Sequence, residues 1–139
     1  YFGYSQCPDV CPTSLSLLGS AMNQLSDAEL AEFQAIFVSV DPGRDDPQTL
    51  AEYSRYFHPD MIGISGAPAD LDPVVAQYGA YYEKTPYSNS ELLYGIAHTS
   101  ETYIVDRQGK LVSILAHASP PDEIVKSIRS ALGKAPQQG

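Results

Sequence analysis

The sequence predicts an α/β sandwich, a central mixed β-sheet flanked by α-helices, and three observations predict it. Short apolar, β-branched runs alternate with amphipathic stretches of helical period through the first half of the chain. A strand, turn and strand follow over residues 102–115. One more amphipathic stretch of helical period comes after them. Alternation of this kind calls for right-handed βαβ crossovers with helices covering the sheet.

Each element has a local reason. Tyr1-Phe2-Gly3-Tyr4 reads as the tail of a strand, so the chain is expected to be an excerpt of a longer protein. Pro12 suits the first position of a helix whose apolar face is Leu15, Leu18, Met22 and Leu25. Ser26-Asp27-Ala28-Glu29 has the form of a capping box and predicts a further short helix. Ala35-Ile36-Phe37-Val38-Ser39-Val40, bounded by Asp41-Pro42-Gly43, reads as a buried parallel strand. Asp46 caps a helix that begins at Pro47, with Leu50, Tyr53, Tyr56 and Phe57 on its inner face, and His58-Pro59 ends it.

Ile62-Gly63-Ile64 reads as a short strand, residues 70–78 as a short helix, and residues 81–85 as extended. A polar loop through Ser88, Asn89 and Ser90 follows. Thr102-Tyr103-Ile104-Val105-Asp106 and residues 110–115 make a hairpin around Arg107-Gln108-Gly109. Pro120-Pro121-Asp122-Glu123 opens a final helix with Ile124, Ile128 and Leu132 facing inward. A hairpin and helix at this end of an alternating pattern narrow the class to a thioredoxin-like sandwich. A single domain is expected over residues 1–133, with residues 134–139 as a flexible tail.

Composition excludes some roles. The 139 residues suit one domain rather than two, and 43% hydrophobic with 18% charged residues suits a globular one. The formal charge of −9, from 17 acidic and 8 basic residues, repels phosphate backbones and argues against nucleic acid. The basic residues do not cluster, which argues against an anionic membrane surface.

Chemistry concentrates in Cys7-Pro8-Asp9-Val10-Cys11-Pro12, which holds both cysteines of the chain. A disulfide there would close a very small loop and remove little entropy from the unfolded chain, so stapling is a weak reason for the pair. At a strand-to-helix turn the helix N-terminus favours thiolate, and Cys11, next to Pro12, is expected to feel this most. Four helical residues advance roughly 6 Å, within the Cα range of a disulfide, so redox closure is feasible. The familiar dithiol enzymes carry two residues between their cysteines, whereas this chain carries three. Two thiolates also suit a soft ion such as Cu(I), or Zn²⁺.

A third ligand would discriminate between these roles. His58 reads as a helix-end residue and His117 as part of the turn before the last helix. His98 stands in the loop leading into the strand at residue 102, and that loop faces the cysteine loop in a thioredoxin-like sheet. A ligand there would complete a Cys₂His set. Asp41, Asp45 and Asp46 read as turn-forming and capping residues, and the 10 tyrosines as core and half-buried filling.

Taken together, these stretches resemble the SCO/SenC copper proteins that help assemble cytochrome c oxidase. The matching residues are Tyr1 to Tyr4 leading into the cysteine motif, Phe37-Val38-Ser39-Val40-Asp41-Pro42, Arg44-Asp45-Asp46-Pro47-Gln48-Thr49-Leu50, Gly63-Ile64-Ser65-Gly66, and His98-Thr99 before Tyr103-Ile104-Val105-Asp106-Arg107-Gln108-Gly109. The resemblance implies that Cys7, Cys11 and His98 are ligands for one copper ion, Cu(I) in preference to Cu(II). It implies a metallochaperone that delivers copper to the dinuclear site of oxidase subunit two, supplied by an upstream copper donor or thiol reductant. The alternative role is a thiol-disulfide oxidoreductase that reduces the acceptor's cysteines or senses redox state through Cys7 and Cys11.

The resemblance further implies an N-terminal anchor or export signal and an early β-hairpin outside this sequence. It points to a bacterial periplasm, with membrane attachment only through that anchor, ahead of a mitochondrial intermembrane space. One departure stands out. Many relatives carry an acidic residue directly before the histidine, where this chain has Ala97. A carboxylate there would orient and tune the imidazole.

Overall fold

A computed structural model describes residues 1–7, 10–86 and 94–133. Pro8, Asp9, the expected polar loop through Ser88, Asn89 and Ser90, and the expected tail lie outside the described residues. Strand β1 (Phe2–Gly3) leads to helix α1 (Val10–Asn23), short helix α2 (Asp27–Ala31), strand β2 (Ile36–Ser39) and helix α3 (Pro47–Phe57). Then come β3 (Ile62–Ile64), α4 (Pro68–Gln77), β4 (Tyr82–Pro86), β5 (Tyr94–His98), β6 (Thr102–Val105), β7 (Leu111–Leu115) and α5 (Pro121–Ala131).

The α/β class and the thioredoxin-like element order are those expected. Strands β1, β2 and β3 form a parallel sheet in that order, with Phe2 opposite Val38 and Val38 opposite Ile64. The remaining strands pair as two antiparallel ladders, β4 with β5 and β6 with β7. The parallel and antiparallel portions of the expected mixed sheet are thus hydrogen-bonded as three separate sheets among the described residues. Side chains join them: Phe2 on β1 lies 5.7 Å from Tyr103 on β6, ring to ring.

The core follows the apolar spacing. Leu15, Leu18, Met22 and Leu25 are all buried, as are Leu50, Ile124 and Ile128. Tyr56 departs from expectation and is 83% exposed, because the turn of α3 that seats Tyr53 and Phe57 against the core points Tyr56 outward. Helix α1 also begins earlier than expected, at Val10 rather than Pro12. Proline is tolerated through the first turn, where the backbone N–H groups have no partner within the helix. The earlier start puts Cys11 inside the helix.

Local caps behave as their sequences require. Asp46 accepts the Thr49 N–H at 2.7 Å, and His58 ends α3 while its Nδ1 accepts the Asp60 N–H at 3.0 Å. Ser26 and Glu29 form the reciprocal capping box at the start of α2.

Glu29 is 6% exposed and has a second partner. Arg129 of α5 grips its carboxylate with two N–H donors, at 2.9 and 3.3 Å. Hydrogen bonds from Arg129 and from the Ser26 backbone hold the Glu29 carboxyl at about 2, below its ordinary 4.5. A depressed carboxyl pKa contributes stability that is complete above the unfolded value and is lost as pH falls through the folded one. Glu29→Gln keeps the capping box and removes the ion pair. The variant should therefore melt a few degrees below the parent above pH 4.5, the gap closing toward pH 2. Thermal melts across that range check this, and a gap independent of pH would contradict it.

Candidate metal centre

The site is assembled where the end of β1 turns into α1. Cys7 N–H donates to the Tyr4 carbonyl at 3.2 Å, closing a tight turn through Ser5 and Gln6. Asp45 fixes that turn from the side. Its carboxylate accepts the Ser5 N–H at 3.0 Å, the Ser5 hydroxyl, and the Ser39 hydroxyl at 2.6 Å. Asp45 is 3% exposed, so it acts as a buried three-donor anchor from the end of β2 to the approach to Cys7. Its reading as a turn residue missed this, because the partner segment lies 40 residues away in sequence.

Cys11 occupies the first turn of α1 and is fully buried, while Cys7 is 8% exposed. The Cys11 backbone N–H points at Cys7 Sγ, 3.4 Å away. The helix N-terminus therefore supports the Cys7 sulfur, correcting the expectation that Cys11 would gain most from it. Hydrogen bonding with Cys7 and burial push the Cys11 thiol well above its ordinary pKa. Neither Cys7 nor Cys11 is in a disulfide. Gly3 makes room for Cys11: a Cβ there would stand 2.6 Å from its Sγ.

His98 is the last residue of β5, opposite Tyr82 on β4, and not part of a loop leading into β6. Residues 81–85 are extended as expected, but their antiparallel pairing with residues 94–98 has no counterpart in the sequence expectations. Thr99 N–H bonds to the Tyr81 carbonyl at 3.1 Å and Tyr81 N–H to Thr99 Oγ1 at 2.8 Å, closing the ladder just beyond the histidine. His98 Nδ1 lies 2.8 Å from the Thr99 carbonyl. A carbonyl only accepts, so this bond places the ring proton on Nδ1 and leaves the Nε2 lone pair free.

That lone pair faces the sulfurs. Nε2 lies 3.2 Å from Cys11 Sγ and 3.8 Å from Cys7 Sγ. The rings of Tyr1 and Tyr4 meet the imidazole edge-on at 6.2 and 5.8 Å and brace it from two sides. All three ligand atoms lie within 4.8 Å of one another. For metal–sulfur bonds of about 2.3 Å and a metal–nitrogen bond of about 2.0 Å, tetrahedral to trigonal angles place sulfur and nitrogen about 3.5–3.7 Å apart. The observed separations bracket that range, so small side-chain adjustments suffice to seat one soft ion.

Among the described residues, Cys7, Cys11 and His98 form the group of histidine, cysteine and acidic side chains close enough to share a metal. His58 and His117 lie outside it. His58 serves its helix end, and His117 Nδ1 lies 2.7 Å from Ser14 Oγ. Glu101 does not orient His98; it accepts the Tyr103 hydroxyl at 3.4 Å. The Thr99 carbonyl takes the orienting role instead. Tyr1, Tyr4 and Asp45 contribute to the site without any local sequence signal that says so.

The family model described as SCO1/SenC matches residues 1–133. An SCO2-like protein of Rickettsia conorii is 32% identical over 130 residues, which cover 94% of this chain and 63% of that protein. The chain spans less than two thirds of the length of that relative and of a similar protein from Rickettsia felis. The crystal structure of yeast Sco1 with copper bound superposes with a TM-score of 0.84 at 31% identity, covering 98% of this chain and 75% of that one. The structure of Bradyrhizobium japonicum ScoI with copper bound gives 0.78 at 37% identity, covering 94% and 82%.

Proposed function

The chain belongs to the SCO1/SenC family, and from that premise we propose that it is a copper metallochaperone. It holds one Cu(I) on the Cys7 and Cys11 thiolates and on His98 Nε2. The acceptor is the dinuclear copper site of cytochrome c oxidase subunit two, and the setting is the bacterial periplasm, with an anchor outside this sequence. The observation that carries the reading is the convergence of two sulfurs and one imidazole nitrogen with its lone pair free. Copper-bound relatives of the same fold support it. No helix among the described residues is long and apolar enough to cross a membrane.

Ligand softness governs the chemistry. Two thiolates and an imidazole suit a monovalent copper ion, whose preference for few, soft ligands lets it pass by stepwise exchange to acceptor sulfurs. Cys7 and His98, both less buried than Cys11, are placed to release first. Anaerobic titration against a chromophoric chelator should find one Cu(I) per chain. His98→Ala should weaken binding on the order of 100-fold, since the ligands of a tight site share a large binding free energy. Unchanged affinity would exclude His98 as a ligand.

A second reading is favoured by the Cys11 N–H directed at Cys7 Sγ, which stabilises Cys7 as a thiolate in disulfide exchange. In that reaction the two thiols of this chain become a disulfide while a disulfide on the acceptor is reduced to two thiols. It requires Cys7 and Cys11 but not His98, so reductase activity surviving in His98→Ala identifies it.

A further inference from the structure

The two halves of the site come from separate parts of the chain, and one side chain outside the ligand set touches supports of both. Arg44, in the turn between β2 and α3, donates through Nε to the Asp41 carboxylate. Asp41 is 1% exposed, so this contact is a buried end-point for the guanidinium. Through another nitrogen Arg44 donates to Gln6 Oε1 at 3.3 Å, in the turn directly before Cys7. Its carbon Cζ stands 5.7 Å from the centroid of the Tyr4 ring, over its face. The edge-on contact to His98 comes from that same ring. The Tyr4 hydroxyl also accepts the Ile96 N–H at 3.1 Å, on the strand that ends in His98.

We propose that Arg44 is a positioning residue for the metal centre, holding the Cys7 turn through Gln6 and the His98 imidazole through Tyr4 in one mutual placement. The inference rests on the copper-site reading above. Its physical basis is the planar guanidinium, which can bond a carboxylate and an amide oxygen in its plane while its face lies on an aromatic ring. Lysine offers a point charge and cannot hold all three directions together. Among the described residues no backbone–backbone hydrogen bond joins β1 to β5, so side-chain contacts of this kind bridge the two halves. Supports of this kind around metal ligands typically change affinity by 10–100-fold when removed.

The test uses the reduced chain and Cu(I) itself as probe, in anaerobic competition with a chromophoric chelator. The parent, Arg44→Gln, Arg44→Lys and His98→Ala are compared. In parallel, the ring-nitrogen shifts of His98 are read by NMR in the copper-free proteins, where a merely structural role would leave them unmoved. Arg44→Gln is expected to weaken Cu(I) binding by about 10–100-fold and to shift the His98 ring nitrogens, with Arg44→Lys recovering only part of the loss. Parent affinity and unmoved ring nitrogens in a folded Arg44→Gln protein overturn the proposal, even if its melting temperature falls. Should Arg44→Gln fail to fold, Arg44→Lys decides in the same assays, parent behaviour again overturning it. Loss of binding in His98→Ala with none in the Arg44 variants overturns the positioning role alone. Full binding in His98→Ala overturns the copper-site reading and this inference with it.

Discussion

Replacing Cys11 by serine should reduce Cu(I) affinity on the order of 10²–10³-fold, and Cys7→Ser should do the same. Three ligands sharing a binding free energy of about 10 kcal/mol or more contribute about 3–4 kcal/mol each, and each 1.4 kcal/mol is tenfold. A hydroxyl is hard and protonated at neutral pH, so it does not replace a thiolate for a soft ion. The two variants should differ in a second respect. Cys11 is fully buried beneath Gly3 and beside Tyr1, so Cys11→Ser also places a hydroxyl in the core and lowers stability by about 1 kcal/mol. Cys7 lies nearer the surface and should lose metal with little change in melting. Copper titration with parallel thermal melts checks both points. Retention of parent affinity by either variant would remove that sulfur from the site.

The second large effect is expected at Asp45, which binds no metal in this reading. Asp45→Ala strips the acceptor from the Ser5 N–H, the Ser5 hydroxyl and the Ser39 hydroxyl at once. Ser39 is fully buried and cannot turn to water. Leaving such donors unpaired costs about 1–3 kcal/mol each, partly relieved by Ser5 reaching solvent, so a loss of about 3 kcal/mol is expected. For a domain of this size that lowers the melting temperature by roughly 10–15 °C. The Cys7 turn should loosen before the core does, because Asp45 is its lateral anchor. Hydrogen exchange should show it as faster exchange at Ser5 and Cys7 than at residues of α1. A melting temperature within a degree or two of the parent would contradict the anchoring role.

These expectations separate what local pattern reveals from what packing decides. Helix α3 was legible to the residue, because an aspartate cap followed by proline is a strong local start signal and His58-Pro59 a strong stop. The capping box of α2 was equally plain, while its ion pair to Arg129 was not, since 100 residues separate the partners. The β4–β5 pairing escaped because its strands carry no regular alternation. With it went the true position of His98, at a strand end held by Tyr81 and Thr99.

By itself the sequence determined the kind of chemistry. Two cysteines with three residues between them at a strand-to-helix turn, and a histidine far along the chain, name soft ligands, and ligand softness is a property of residue type rather than of fold. Tertiary structure alone decided which sulfur the helix amide supports, which imidazole nitrogen keeps its lone pair, and what braces the ring. The first two are bonds between near neighbours in sequence, held in that geometry by the fold, and the bracing joins Tyr1 and Tyr4 to His98 from the other end of the chain. No local pattern encodes such contacts, because they arise only when the fold packs the end of β5 against the end of β1.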